Sequence, residues 1–363
     1  MHLTLVPTPW QGTCKNVIDE EFTWLQNLGD RSYCALYQNW TSTQQNLPIG
    51  YDLYVVSFYH EAINLEWVRQ QSSLLDVPII VLSDGNWYDQ SIPNVHFYKY
   101  YYWHRQIEKL LEWYPLVVKT KKITKKFSSL CYRVGLNKAL VSAILLDKIS
   151  DQDIEISFGN WTSDDVVEYK YTGWPKIDHY VKYFRDNLQG TQRSLDLSPE
   201  KLLNSIHTYQ QLLASDYDIP AYQNTALNFT NESFFCSLME SNGLKYIHPG
   251  PFITEKTLKC LISGTAFIST GQFETYQSLG NLGLEFNYDF DLSWDQDPGN
   301  LSRLTAILDL IDALSHYRAQ DLYDMTIDST IYNQQQVING TFDHLCRVHN
   351  NASRTRLLEK FGC

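Results

Sequence analysis

Basic residues are in the minority in this chain, with 29 Lys and Arg against 41 Asp and Glu and a formal net charge of -12. A surface of that sign does not grip nucleic acid as a whole, because neutralising phosphates takes a Lys/Arg excess on the binding face. Long apolar runs are missing too: nothing approaches the roughly 18 consecutive apolar residues of a membrane-spanning helix. The opening MHLTLVPTPW carries neither a basic segment nor an extended apolar one, so a soluble, cytoplasmic protein is expected. The seven cysteines include no CxxC spacing, which excludes the usual zinc and redox pairs and suits free thiols in a reducing compartment. There is no GxxxxGKS or GxxxxGKT and no GxGxxG, which disfavours P-loop NTPases and typical dinucleotide dehydrogenases. GxSxG and HExxH are absent as well, removing two common hydrolase classes.

What is present is a folded, aromatic-heavy composition, 44% hydrophobic and 14% aromatic over 363 residues. That length exceeds what one core usually supports, so two domains are expected. YDLYVVSFY (51–59), a helical pattern through EAINLEWVRQQSSLL, VPIIVLSD (77–84) and NVHFYKYYYW alternate as strand, helix, strand and strand. Near-continuous apolar strands joined by helices imply a parallel sheet covered on both faces. The expected fold class is α/β: a Rossmann-like domain over residues 1–117, a second over 118–330, and a helical tail over 331–363. In the second domain a strand over Phe127–Cys131 passes through Gly135 into a helix, and DIEISFG follows as the next strand. A polar, turn-rich stretch then runs to about residue 230, and a strand over 234–239 ends at Glu240.

The densest local signal is PFITEKTLKCLISGTAFISTG, residues 251–271. Thr254 stands where a helix N-cap belongs, Leu258, Leu261 and Ile262 form an apolar stripe, and Gly264 is the natural stop. The unpaired N–H groups and dipole of such a helix start favour an anion, and Lys256 in the first turn adds a full charge. Glu255 is placed to accept hydrogen bonds from a ribose diol. The plain alternative is that Glu255 complements the helix dipole and Lys256 is solvated.

This stretch resembles the donor-binding signature of GT-B glycosyltransferases related to the α1,3-fucosyltransferases, in which Thr-Glu-Lys, a helix, a small residue and a strand ending in Gly recur in that order. It is closer still to phage and viral proteins of glycosyltransferase type, where a TEKT segment, a strand ending in Gly and an LGLEF-like run occur together. The resemblance covers about residues 125–145 and 232–315. It implies two Rossmann-like domains, a nucleotide-diphosphate sugar as donor, Lys256 on the diphosphate and Glu255 on the ribose. Arg133, Asn137 and Lys138 in FSSLCYRVGLNKALVSAIL are the implied basic group at the start of the nucleotide domain, although CYRVGLNKA is looser than the family's Asn and Arg cluster. Thr254, Thr257 and Glu240 complete the expected donor set. A viral origin would place the protein in the host cytoplasm.

Transfer to an acceptor hydroxyl with inversion needs a base facing the donor. Glu61 is the first candidate, with His60 and Asp84 next, all at strand ends of the first domain; each also suits a cap or turn role. The aromatics of FYKYYYWHRQ (97–106) read as half-buried sheet residues or a stacking face. DxD patterns at Asp151, Asp289 and Asp295 invite a metal, but a lysine and a helix dipole neutralise a diphosphate without one, so no metal or cofactor is expected. The acceptor is a glycan or another hydroxyl. DNA is an alternative partner, tracked by the basic run Lys119 to Lys126, which otherwise reads as a solvated linker. A non-catalytic nucleotide- or sugar-binding protein of the same fold is the reading from a different class.

Overall fold

The computed structural model describes residues 3–6, 33–37, 46–57, 63–83, 91–101, 107, 111, 122–131, 135–159, 173–193, 222, 224–232, 238–241, 244–247, 250–251 and 253–361; for 3–6, 33–37, 57, 238–241, 244–247 and 255 the backbone alone is described. The protein is mixed α/β with parallel sheets, compatible with a Rossmann-like fold. It divides into two compact units, one of residues 1–106, 236–252 and 343–363, the other of 107–235 and 253–342. Among the described residues no helix is long and apolar enough to cross a membrane.

The first unit is built on a parallel sheet of β1 (Leu3–Val6), β2 (Tyr33–Tyr37), β3 (Leu53–Ser57), β5 (Ile79–Ser83) and β6 (Val95–Lys99), lying side by side in chain order. A short β4 (Ile63–Asn64) leads into α1 (Leu65–Leu74), capped by the Asn64 side chain, which accepts from the Trp67 N–H at 3.0 Å. Trp67 and Val68 of this helix pack in one cluster with Tyr54, Val56, Val81 and Phe97. The alternate residues Leu53, Val55, Ile80 and Leu82 are equally buried. That burial on both faces is what the apolar strand runs imply. His96, in register with Ile80 and so on this second face, meets the Phe361 ring edge-on at 5.1 Å.

The second unit carries the parallel sheet that positions the site. Along the chain come β7 (Lys125–Cys131), α2 (Leu136–Lys148), β8 (Ile154–Phe158), α3 (Pro175–Asn187) and β9 (Thr225–Thr230). The chain then leaves for the first unit, where β10 (Leu238–Ser241) and β11 (Leu244–Ile247) form an antiparallel hairpin whose second strand pairs with β4. It returns at Ile253 and forms α4 (Glu255–Ser263), β12 (Ala266–Ser269), α5 (Thr275–Gly280), α6 (Asn300–Leu314), α7 (Ala319–Asp324) and α8 (Ile327–Ile338). Gly340, at φ +76°, separates α8 from the last helix, α9 (Thr341–Phe361).

The sheet order is β12-β9-β7-β8, with every pairing parallel. Two expectations need correction. The strand that enters this sheet ahead of α4 is Thr225–Thr230, inside the stretch read as polar and turn-rich, and the strand around Glu240 is part of the hairpin. The polar side chains of TALNFT misled because they bond inside the sheet: Asn228 donates to the Ser128 hydroxyl at 2.7 Å, and that hydroxyl lies 3.1 Å from Thr225 Oγ1. All six residues of β9 are buried.

Around α4 the expected pattern holds. Thr254 is its N-cap, Leu258, Leu261 and Ile262 are buried, and Gly264 ends it in the left-handed region at φ 60°, ψ 46°. The far end is braced by α8, where Gln334 donates to the Ile262 carbonyl at 2.8 Å. That helix also holds the extended segment that follows α5. The Glu285 N–H reaches Asn333 Oδ1 at 2.7 Å and the Asn287 N–H reaches Ser329 Oγ at 2.9 Å, while Asp289 bonds the Met325 carbonyl at 3.0 Å. The first two of these contacts are to side chains of α8 and the third is to the residue that ends α7.

Candidate anion site at the sheet switch point

In the second unit β7 connects to β8 on one side, while β9 lies on the other side with β12 beyond it. The chain therefore diverges between the carboxyl ends of β7 and β9. In open α/β sheets such a switch point leaves a crevice where ligands bind. Two helices start at this edge. Gly135 is the N-cap of α2, with Asn137 and Lys138 in the first turn, and Thr254 is the N-cap of α4, with Glu255, Lys256 and Thr257 following.

A buried polar network joins the strand ends. Asn137 Nδ2 donates to the Thr270 carbonyl just past β12 at 2.7 Å, and the Thr270 hydroxyl donates to Asn231 Oδ1 at 3.0 Å. Asn231 Nδ2 in turn bonds the Ser129 hydroxyl of β7 at 2.8 Å. Asn137, Thr270, Asn231 and Ser129 are all buried, so each bond replaces hydration that folding removes.

The strongest constraint comes from Glu232, which is wholly buried just beyond β9. One carboxylate oxygen accepts from the Thr254 N–H at 3.1 Å and from the Thr257 hydroxyl at 2.7 Å, and the other accepts from the Thr254 hydroxyl at 2.5 Å. A carboxylate at a helix start is favourable both as a cap and against the dipole. Gly271 completes the corner: a Cβ there would come within 3.3 Å of Glu232 Cβ, and the loop after β12 closes on that side chain. Thr254 Oγ1 also accepts from Lys256, from its N–H at 3.4 Å and its ammonium at 3.2 Å.

The two lysines act on a common neighbour. Cys131, the last residue of β7, is buried, and burial pushes its thiol up to about 11; the Ser142 hydrogen bond and the charges of Lys138 and Lys256 pull the other way. Lys138 is buried and Lys256 half-buried.

The structure thus brings together Asn137, Lys138, Thr254, Lys256 and Thr257. The Thr257 hydroxyl is buried and committed to Glu232, so it fixes the helix start. Glu255 opens α4. Glu240 lies on β10, in register with Lys245, and belongs to the first unit. Arg133, His60, Glu61 and Asp84 fall outside the described residues. Sequence reasoning missed Glu232, Asn231 and Thr270, and the available signal was the NE pair directly after TALNFT, with Glu232 22 residues before the Thr254 cap.

Five of the six DxD carboxylates have protein partners, and Asp289 bonds through its backbone N–H. Asp151 pairs with Arg193 at 2.9 Å and Asp153 with Lys126 at 3.5 Å. Asp291 accepts from both the N–H and the hydroxyl of Ser293, and Asp297 accepts from the Gly299 N–H. Asp295 is buried and caps α5 through the Thr275 and Tyr276 N–H groups at 2.9 and 3.0 Å. Among the described residues no group of three or more His, Cys, Asp and Glu is arranged to hold a metal ion. The aromatic run divides similarly: Tyr100 and Tyr101 are buried, under Arg354 and beside His349 respectively.

The arrangement gathers two lysines in the first turns of two helices over a buried polar frame. No protein-family model matches the chain, and no curated protein is significantly similar to it.

Proposed function

We propose that the protein is a GT-B-like glycosyltransferase that binds a nucleotide-diphosphate sugar at the switch point of the second unit and transfers the sugar to an acceptor hydroxyl. The observation that carries this reading is the pair Lys138 and Lys256, each in the first turn of a helix that starts at that edge, beside the buried hydrogen bonds of Asn137 and Glu232. Negative charge grows on the leaving nucleoside diphosphate as the glycosidic bond breaks, and cations already held in place stabilise it without reorganisation. Lys256 and Lys138 supply that charge, and the N-terminal turn of α4 supplies N–H groups for the phosphate oxygens. Thr254, Thr257 and Asn137 hold the two helix starts, and Glu255 takes the ribose. The acceptor and the base, with Glu61 first and His60 and Asp84 next, belong to the first unit in this reading.

A thermal-shift screen of nucleoside diphosphates and nucleotide sugars tests it, since a true donor raises the melting temperature by mass action. Lys256→Ala should weaken nucleoside diphosphate binding about tenfold or more, the scale of a lost charge-assisted hydrogen bond. A screen in which no nucleotide stabilises the protein would sink the proposal. Binding without turnover of any nucleotide sugar would leave a non-catalytic binding protein. The DNA alternative draws less support from the basic run, because Lys125 and Lys126 are engaged with Glu155 and Asp153 and with the backbone of Ile154 and Ser315.

A further inference from the structure

We infer that Glu232, acting through the hydroxyl of Thr254, is a positioning residue for Lys256. The hydroxyl has one hydrogen and gives it to the Glu232 carboxylate over 2.5 Å. Its oxygen then has only acceptor capacity left, and the Lys256 ammonium takes it at 3.2 Å. Carboxylate, hydroxyl and ammonium form a line in which each hydrogen bond polarises the next. The order of donors is fixed by chemistry, because an ammonium can only donate and an ionised carboxylate can only accept.

The frame of this line is rigid at the acid end. Glu232 is held by the Thr254 N–H and the Thr257 hydroxyl as well, and Gly271 passes close beside its stem, where an added Cβ would lie 3.3 Å from Glu232 Cβ. At the other end Lys256 is half-buried, and its flexible stem would otherwise sample many rotamers. Drawing the ammonium back to the N-cap hydroxyl places the charge at the start of α4. The consequence rests on the proposed function: a diphosphate arriving there meets a lysine already in position, and part of the ordering cost of binding is removed in advance.

The test separates the tether from the ligand. Trace acetylation of the intact protein, read by mass spectrometry at Lys256, reports how strongly its ammonium is engaged, with no ligand present. Glu232→Gln keeps the shape and an acceptor but removes the charge, Thr254→Val removes the hydroxyl, and Thr254→Ser restores it. Labelling of Lys256 should rise about threefold in Glu232→Gln and Thr254→Val, the scale of a partly exposed charge pair, and stay at the wild-type rate in Thr254→Ser. Amide hydrogen exchange over residues 256–260 is the control, expected to rise by a smaller factor than the labelling of Lys256 in Glu232→Gln. An unaltered labelling rate in Glu232→Gln, or a rise matched by faster amide exchange there, overturns the inference. Inorganic pyrophosphate added to the wild type should protect Lys256 from acetylation; failure of that arm alone counts against the diphosphate site and leaves the tether standing.

Discussion

Asn350 pairs with both backbone groups of Tyr101: its Oδ1 accepts the Tyr101 N–H and its Nδ2 donates to the Tyr101 carbonyl, each at 2.7 Å. A side-chain amide here does the work of a neighbouring strand, joining the last helix to the chain just past β6 across 249 residues of sequence. Both residues are buried, so Asn350→Ala removes two hydrogen bonds from buried backbone groups. Such a loss costs about 3 kcal/mol, which urea denaturation should read as a lower midpoint at unchanged slope. Asn351→Ala, on the exposed neighbour, should shift stability by less than about 0.5 kcal/mol.

Glu232 offers a larger effect. Glu232→Ala strips the acceptor from one amide and two hydroxyls, and Thr254 and Thr257 are both buried. The expected cost is about 3–4 kcal/mol. Glu232→Gln, which still accepts, should lose less than half of that by the same measurement.

Gly264 tests the stop signal of α4. A Cβ at this position would lie 2.8 Å from Gln334 Oε1 and 2.9 Å from its Cδ, and φ is +60°. Gly264→Ala should destabilise by about 2 kcal/mol, part from the left-handed backbone and part from the clash. In a Gln334→Ala background the steric part disappears, so the double-mutant cycle should be non-additive.

Asp295 gives a pH dependence with a defined sign. Burial raises its carboxyl to about 7 from an ordinary 3.8, against the opposing pull of the Tyr276 and Thr275 amides and Arg303. The folded state therefore holds this proton more tightly than the unfolded chain. Its contribution to stability is full below about pH 4 and is lost as pH rises towards 7, by on the order of 4 kcal/mol at most. Between those limits the difference in stability between the wild type and Asp295→Asn should slope downward with pH, then flatten above 7. A wild type whose stability tracks that of Asp295→Asn throughout the window would refute the assignment.

Much of the local architecture was legible because its causes are local. The β5 run IIVLS is buried on both faces and reads as a covered parallel strand. Thr254 and Gly264 bracket α4 with the chemistry that starts and stops helices. β9 was not legible, since Thr225 and Asn228 satisfy their polarity against Ser128, which is distant in sequence. The same applies to Glu232, whose meaning depends on a helix start 22 residues later. The place of Lys256 in the first turn of α4 was readable from the sequence; the device that holds its ammonium was not.

The excursion of residues 236–252 has a consequence for how the protein is made. β9 and Glu232 are synthesised before those residues, Thr254 and α4 after them, yet all four belong to one unit. A nascent chain emerging from the ribosome cannot cap α4 until the intervening segment has been translated, and the carboxylate of Glu232 waits without its three donors meanwhile. Once they meet, the departure and return points of the excursion are pinned together, which confines it to a closed loop of fixed span. Loop closure grows costlier only slowly with length, so the second unit by itself sets little limit on how long the excursion is; the limit comes from the β10–β11 hairpin within it, which its pairing with β4 holds in register.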